Sequence, residues 1–246
     1  MEQNKFPTEI VDLPSKGLLY SPESPLSSGT VEMKYMTAKE EDILTNQNYI
    51  ESGVVIDKLL QSLIVDRKVQ YSDLLIGDKN ALLIAARILG YGKEYSYSYG
   101  GESYEIDLSQ LENKIFDETQ FKTGKNEFEW VTPTTSNVIT FKLLTHGDEQ
   151  GITQEVKGLK KINKDSSAEL STRLKHMIIA VDGNKERPEV RSFVDNRFLA
   201  RDSREFRKYL ANFQPDVNMK VYPENGPEEG IELPIGVTFL WPDASI

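Results

Sequence analysis

TAKEEDILTNQNYIESGVVIDKLLQSLI, residues 37–64, decides between a helical and a sheet framework. Thr37 and Glu40 stand at the spacing of a capping box, in which each side chain satisfies a backbone N–H left unpaired at a helix start. The helix they open is expected to run to about Tyr49 or Ile50, with Gly53 as a natural stop. Val55, Ile56, Leu59, Leu60, Leu63 and Ile64 then recur at helical spacing and predict a second helix. Asp73 and Asp78 are further helix-start candidates. Asn80 to Leu89, ended by Gly90, reads as a buried helix. Residues 37–90 are therefore expected to form a helical unit.

On either side the pattern changes to strand. Before it, residues 1–36 read as an extended arm or β-hairpin closed by a Pro/Ser loop, with Val31, Met33 and Tyr35 on one face. After it, Tyr95, Tyr97 and Tyr99 alternate up to Gly100-Gly101, and Tyr104 and Ile106 return, which is a hairpin signal. Phe128 and Trp130, then Val138 to Leu143, predict a second ribbon around a turn at 133–137. Lysines 157, 160, 161 and 164 read as a polar linker.

Ser166-Ser167-Ala168-Glu169 is another capping box. Leu170, Leu174, Met177, Ile178 and Val181 follow as one helical stripe, ended by Asp182-Gly183-Asn184 with Pro188 beyond. Asp202-Ser203-Arg204-Glu205 opens a last helix that stops at Pro215. The tail returns to strand at 219–222 and 231–241 around a Pro/Gly/Glu turn.

The chain has 246 residues, 38% hydrophobic and 28% charged, enough apolar material for a packed core. Lys and Arg number 29 against 39 Asp and Glu, a formal charge of -10 that repels phosphate and disfavours nucleic acid and anionic membrane. The absence of Cys removes disulfides, thiolate metal sites and cysteine nucleophiles. No stretch nears the roughly 20 apolar residues that span a bilayer, and no signal peptide opens the chain, so it is expected to stay in the cytoplasm.

Catalytic signals are sparse. There is no phosphate loop, no nucleotide-binding glycine fingerprint and no nucleophile elbow; Gly90-Tyr91-Gly92 follows a helix, the wrong context. His146-Gly147-Asp148-Glu149 reads as a turn or helix cap, and His176 as a satisfied histidine on a polar rim. No metal, cofactor or small-molecule substrate is implied. The tyrosine hairpin and the aromatic tail fit protein contacts best, and Tyr97, Tyr99, Phe239 and Trp241 are the candidate interface anchors.

Several blocks in order resemble one family. They are Val11 to Tyr20, Met33 to Leu44, Asp57 to Ile64, Leu74 to Asn80, Ala85 to Gly92, and Leu233 to Asp243. Together they resemble the baseplate hub assembly proteins of contractile-tailed bacteriophages. Relatives often carry Cys-x-x-Cys pairs, as in a zinc ribbon, in the two hairpins; here those places read Tyr97-Ser98-Tyr99-Gly100-Gly101-Glu102 and Tyr222 to Glu229. Without thiolates the ribbons are expected to persist as metal-free hairpins, held by Tyr97, Tyr99 and Tyr104.

The expectation is thus an α+β fold. Helical units at 37–90 and 166–216 carry antiparallel ribbons at 91–165, with a linker, and at 217–246; the hairpins are degenerate and zinc-ribbon-like. The resemblance implies a non-catalytic role in assembling a phage tail baseplate in the host cytoplasm or within the virion, through hub or wedge proteins or further copies of the chain. The alternatives are a nucleic-acid-binding module built on the ribbons, and a hydrolase pairing His146 with Asp148 or Glu149.

Overall fold

The computed structural model describes residues 7–162, 168–223 and 226–241. It begins with a hairpin, β1 (Thr8–Asp12) antiparallel to β2 (Thr30–Lys34), in register Val11 to Val31. The connection folds back on itself where Gly17, at φ +74°, lies so near Ser27 that a Cβ would sit 2.5 Å from its carbonyl oxygen. Only glycine fits there. Val31 and Met33 face inward while Glu32 faces solvent, as the alternation predicts.

The capping box forms at Thr37 and Glu40, but the helix it opens breaks early. α1 spans Ala38–Leu44, and Asn46 caps a separate α2 (Gln47–Ser52) by accepting the Tyr49 N–H. Asn46 competes with the helix through its own side chain, which is why a single helix to Ile50 does not form. Gly53 ends α2 at φ +73°. α3 (Val55–Leu63) buries Val55, Leu59, Leu60 and Leu63, the predicted stripe. α4 (Ile76–Tyr91) is longer than its predicted core and buries half of its residues.

Asp78 lies in the first turn of α4 and does not cap it. Its carboxylate accepts the Ser15 N–H at 2.9 Å, the Ser15 hydroxyl at 2.6 Å and the Tyr20 hydroxyl at 2.6 Å. Tyr20 Oη in turn accepts the Leu75 N–H at 2.9 Å. Burial pushes the Asp78 carboxyl above the usual range, against the lowering effect of those donors. Beside it, Gly77 passes so close to Pro215 that a Cβ would stand 2.0 Å from the Pro215 carbonyl oxygen.

The tyrosine hairpin forms as expected, β3 (Glu94–Tyr99) pairing β4 (Glu102–Asp107) with Tyr97 opposite Tyr104. β5 (Phe128–Val131) and β6 (Val138–Phe141) make the second ribbon. The lysine linker is corrected: Lys157, Lys160 and Lys161 lie on α5 (His146–Ile162), exposed, while Lys164 falls outside the described residues, as do Ser166 and Ser167 of the expected capping box. α6 (Glu169–Met177) then stops short. Ile178 to Val181, read as the end of a helical stripe, form β7 (Ile178–Val181), which pairs β6 to give a sheet ordered β5-β6-β7. A run of Ile, Ile, Ala and Val satisfies either period, and pairing with β6 decides for strand.

Pro188 is a start signal and not a stop. It occupies the first turn of α7 (Arg187–Asn196), where its missing N–H costs nothing. α8 (Ala200–Phe213) opens before Asp202, whose buried carboxylate accepts the Thr134 N–H and the Thr135 hydroxyl of the β5–β6 turn. β8 (Lys220–Val221) pairs β9 (Ile231–Glu232), and the predicted terminal strand gives way to a helical turn, α9 (Val237–Leu240). The outcome is an α+β fold with several small antiparallel sheets.

Replacing Asp78 with Ala leaves three donors at Ser15 and Tyr20 unpaired in the core. The expected cost is about 2–4 kcal/mol, read as a lower urea midpoint at unchanged slope. A midpoint within about 0.5 kcal/mol of the parent would show that the clamp is not structural.

Candidate functional site

Arg87 roots the tyrosine hairpin in α4. Its guanidinium donates to the Gly92 and Glu94 carbonyls at 3.0 and 3.2 Å, and lies over the rings of Tyr91 and Tyr95. Tyr95 and Tyr97 then turn inward and stack with centroids 5.8 Å apart. Tyr97 also meets Tyr104, and Tyr95 meets Phe239 edge-on at 4.9 Å. α9 packs on α4, so the aromatic tail closes over the ribbon.

This divides the four candidate anchors. Phe239 is fully buried and Tyr97 nearly so, and neither is available to a partner. Trp241 is half-buried against the core. Tyr99 alone stands out, 50% exposed beside the Gly100-Gly101 turn. The expectation that Tyr97, Tyr99 and Tyr104 together hold the hairpin is corrected in the same way. Tyr95, Tyr97, Tyr104 and Phe239 supply the packing, and Tyr99 does not.

The ionisable clusters sit elsewhere. Asp57 of α3 accepts from Lys79 at 2.8 Å and from the Tyr71 hydroxyl at 3.0 Å, and His146 Nε2 lies 3.2 Å from its other oxygen, short of a well-aligned hydrogen bond. The Lys79 ammonium lies 3.2 Å from His146 Nδ1. Burial opposes the Asp57 charge, yet His146 and Lys79 hold its carboxyl down at about 2. Burial and the neighbouring Asp57 push the Tyr71 hydroxyl up.

A cavity of about 400 Å³ opens beside this cluster, lined by Gln61, Arg67, Gln70, Tyr71, Ser72 and His146 among others. Both imidazole nitrogens already face Lys79 and Asp57. Asp148 caps its own helix at Thr145 and pairs with Lys142 at 2.7 Å, while Glu149 pairs with Arg173. The expected hydrolase pairing of His146 with Asp148 or Glu149 is therefore not formed. His176 is satisfied by Glu155 at 3.0 Å, which also pairs with Arg191; that Arg191 hydrogen bond, against burial, brings Glu155 to about 2.

Among the described residues, no group of three or more His, Asp or Glu side chains could hold a metal ion, and no helix is long and apolar enough to cross a membrane. The residues that organise these clusters, Asp57, Lys79 and Arg87, lie within the resembling blocks but are not among the candidate site residues read from the sequence. Their role depends on partners far away in sequence. Compared with family models, curated proteins and solved structures, the chain matches none.

Two outcomes follow from this geometry. Phe239→Ala is expected to cost about 3–5 kcal/mol in denaturant unfolding, whereas Tyr99→Ala stays within about 0.5 kcal/mol; the opposite ranking would return Phe239 to the surface. Asp57 titrates at about 2 in the fold and near 3.9 unfolded, so the unfolded chain binds more protons between those values. Its contribution is complete above about pH 4 and is lost as the pH falls toward 2. Wild type should therefore lose stability more steeply over that window than Asp57→Asn, as read by urea titrations at each pH.

Proposed function

We propose that this chain is an assembly protein of a contractile phage tail baseplate, acting by binding hub or wedge proteins and performing no chemistry. One observation carries the reading: the sequence blocks that resemble that family interlock in space. Ser15 and Tyr20 of the first block grip Asp78 of Leu74 to Asn80, and Asp57 of the third pairs with Lys79. Arg87 of Ala85 to Gly92 lies over Tyr95, which in turn meets Phe239 of the last block. The three contacts share one element, since Asp78, Lys79 and Arg87 all lie on α4.

With those residues occupied in holding the fold, recognition falls to what projects from it. The tip of the β3–β4 ribbon is the leading surface, because Tyr99 offers a large, rigid aromatic contact at small conformational cost. The proposal puts its work in the host cytoplasm during assembly, and mass spectrometry of purified virions separates a transient factor from a retained subunit.

Binding decides the matter. The purified chain, mixed in turn with each hub and wedge protein of a contractile tail, is run by size exclusion with light scattering. A stoichiometric complex with at least one is expected, and Tyr99→Ala should weaken it by at least about 1 kcal/mol with unchanged thermal stability. Failure to bind any of them removes the proposal.

A further inference from the structure

We propose that the cleft between β4 and β8 receives an extended, lysine- or arginine-rich segment of a partner protein as an added strand. Among the described residues β4 pairs with β3 alone and β8 with β9 alone, so each has one edge without a neighbouring strand, the Lys220 N–H of β8 being held locally by Asn218 Oδ1 at 3.2 Å. The segments that follow β4 and precede β8 meet at a common base, where Asn218 N–H donates to the Glu112 carbonyl and Lys114 N–H to the Asp216 carbonyl, both at 2.8 Å. From that base the strands part. Between them lies a cleft of about 400 Å³, walled by Glu105 and Asp107 on one side and Lys220 and Tyr222 on the other.

Among the described residues no backbone closes this gap. Pro223 follows Tyr222 directly and has no N–H to continue a ladder. Exposed strand edges are templates for pairing, and an entering strand gains affinity from its backbone and specificity from alternate side chains.

Charge selects the occupant. Glu105 and Glu112 are exposed on the lining and make no ion pair among the described residues, while Asp107 is held by Lys93 at 2.7 Å. Lys220 is the one cation of the described lining, and its ammonium lies over the Tyr222 ring at 5.9 Å. Half-buried Ile106 and Leu111 with buried Val221 make the apolar part of the lining. A strand alternating basic and β-branched residues satisfies the acids with one face and this apolar surface with the other.

The inference rests on the contact reading above and narrows it to one partner chemistry. Its test uses the full chain and a fluorescein-labelled nonapeptide of alternating Lys and Val, followed by anisotropy and by amide hydrogen exchange. Saturable binding is expected, with slowed exchange in β4 and β8. Peptides with Glu in place of Lys, or with alternate backbone nitrogens methylated, should bind at least about tenfold more weakly. The double variant Glu105→Lys, Glu112→Lys, both positions being exposed, should lose about tenfold while keeping its circular dichroism. No binding, equal binding of the methylated peptides, or indifference to the charge reversal each overturns the proposal. If complexes with hub or wedge proteins still form in that case, the cleft fails and the contact reading stands.

Discussion

A carboxylate without access to water is the constraint around which the described structure is arranged. Asp78 is fully buried, and a buried acid must collect donors from wherever the fold can bring them. Here they come from Ser15 and Tyr20, more than fifty residues earlier, so the loop after β1 is pinned to the first turn of α4. That turn is also where Gly77 lets the backbone of Pro215 approach. One helical turn thereby anchors the N-terminal hairpin on one side and the segment leaving α8 on the other. Pairing of Val31 and Met33 with the core follows from the same attachment, since β2 leaves that loop directly.

Legibility in the sequence followed the range of the forces. Local devices read well. The Thr37–Glu40 box, the Val55–Leu63 stripe and the Gly100-Gly101 hairpin are each determined within a few residues, and each forms. Errors arose where a distant partner overruled a local pattern. Ile178 to Val181 fit a helical stripe until β6 offers an edge to pair with, and Pro188 looks like a terminator until the helix is seen to begin there. The candidate surface fared similarly. Alternation put Tyr95, Tyr97 and Tyr99 on one face, but which of them is covered depends on Phe239, about 140 positions away, and nothing local encodes that meeting.

The charged clusters share a logic with the Asp78 clamp. Asp57 joins α3 to α4 and to the start of α5, Glu155 joins α5 to α6 and α7, and Asp202 fastens α8 to the β5–β6 turn. Each binds separate elements together at a place where apolar packing alone leaves orientation free. Partial burial makes such pairs sensitive to geometry, so their value is in fixing how the helices sit more than in raw stability. Asp57, Glu155 and Asp202 thus align the elements they join.

The closing of the ribbon by α9 has a consequence for synthesis. Tyr95 and Tyr97 leave the ribosome long before Phe239 does, and at ~5–20 residues per second the interval is on the order of ten seconds. During that interval the hairpin lacks the Phe239 ring that Tyr95 meets in the fold. Burial of Phe239 against Tyr95 is therefore a late contact of synthesis, and α9 matters for solubility during translation as well as for stability afterwards.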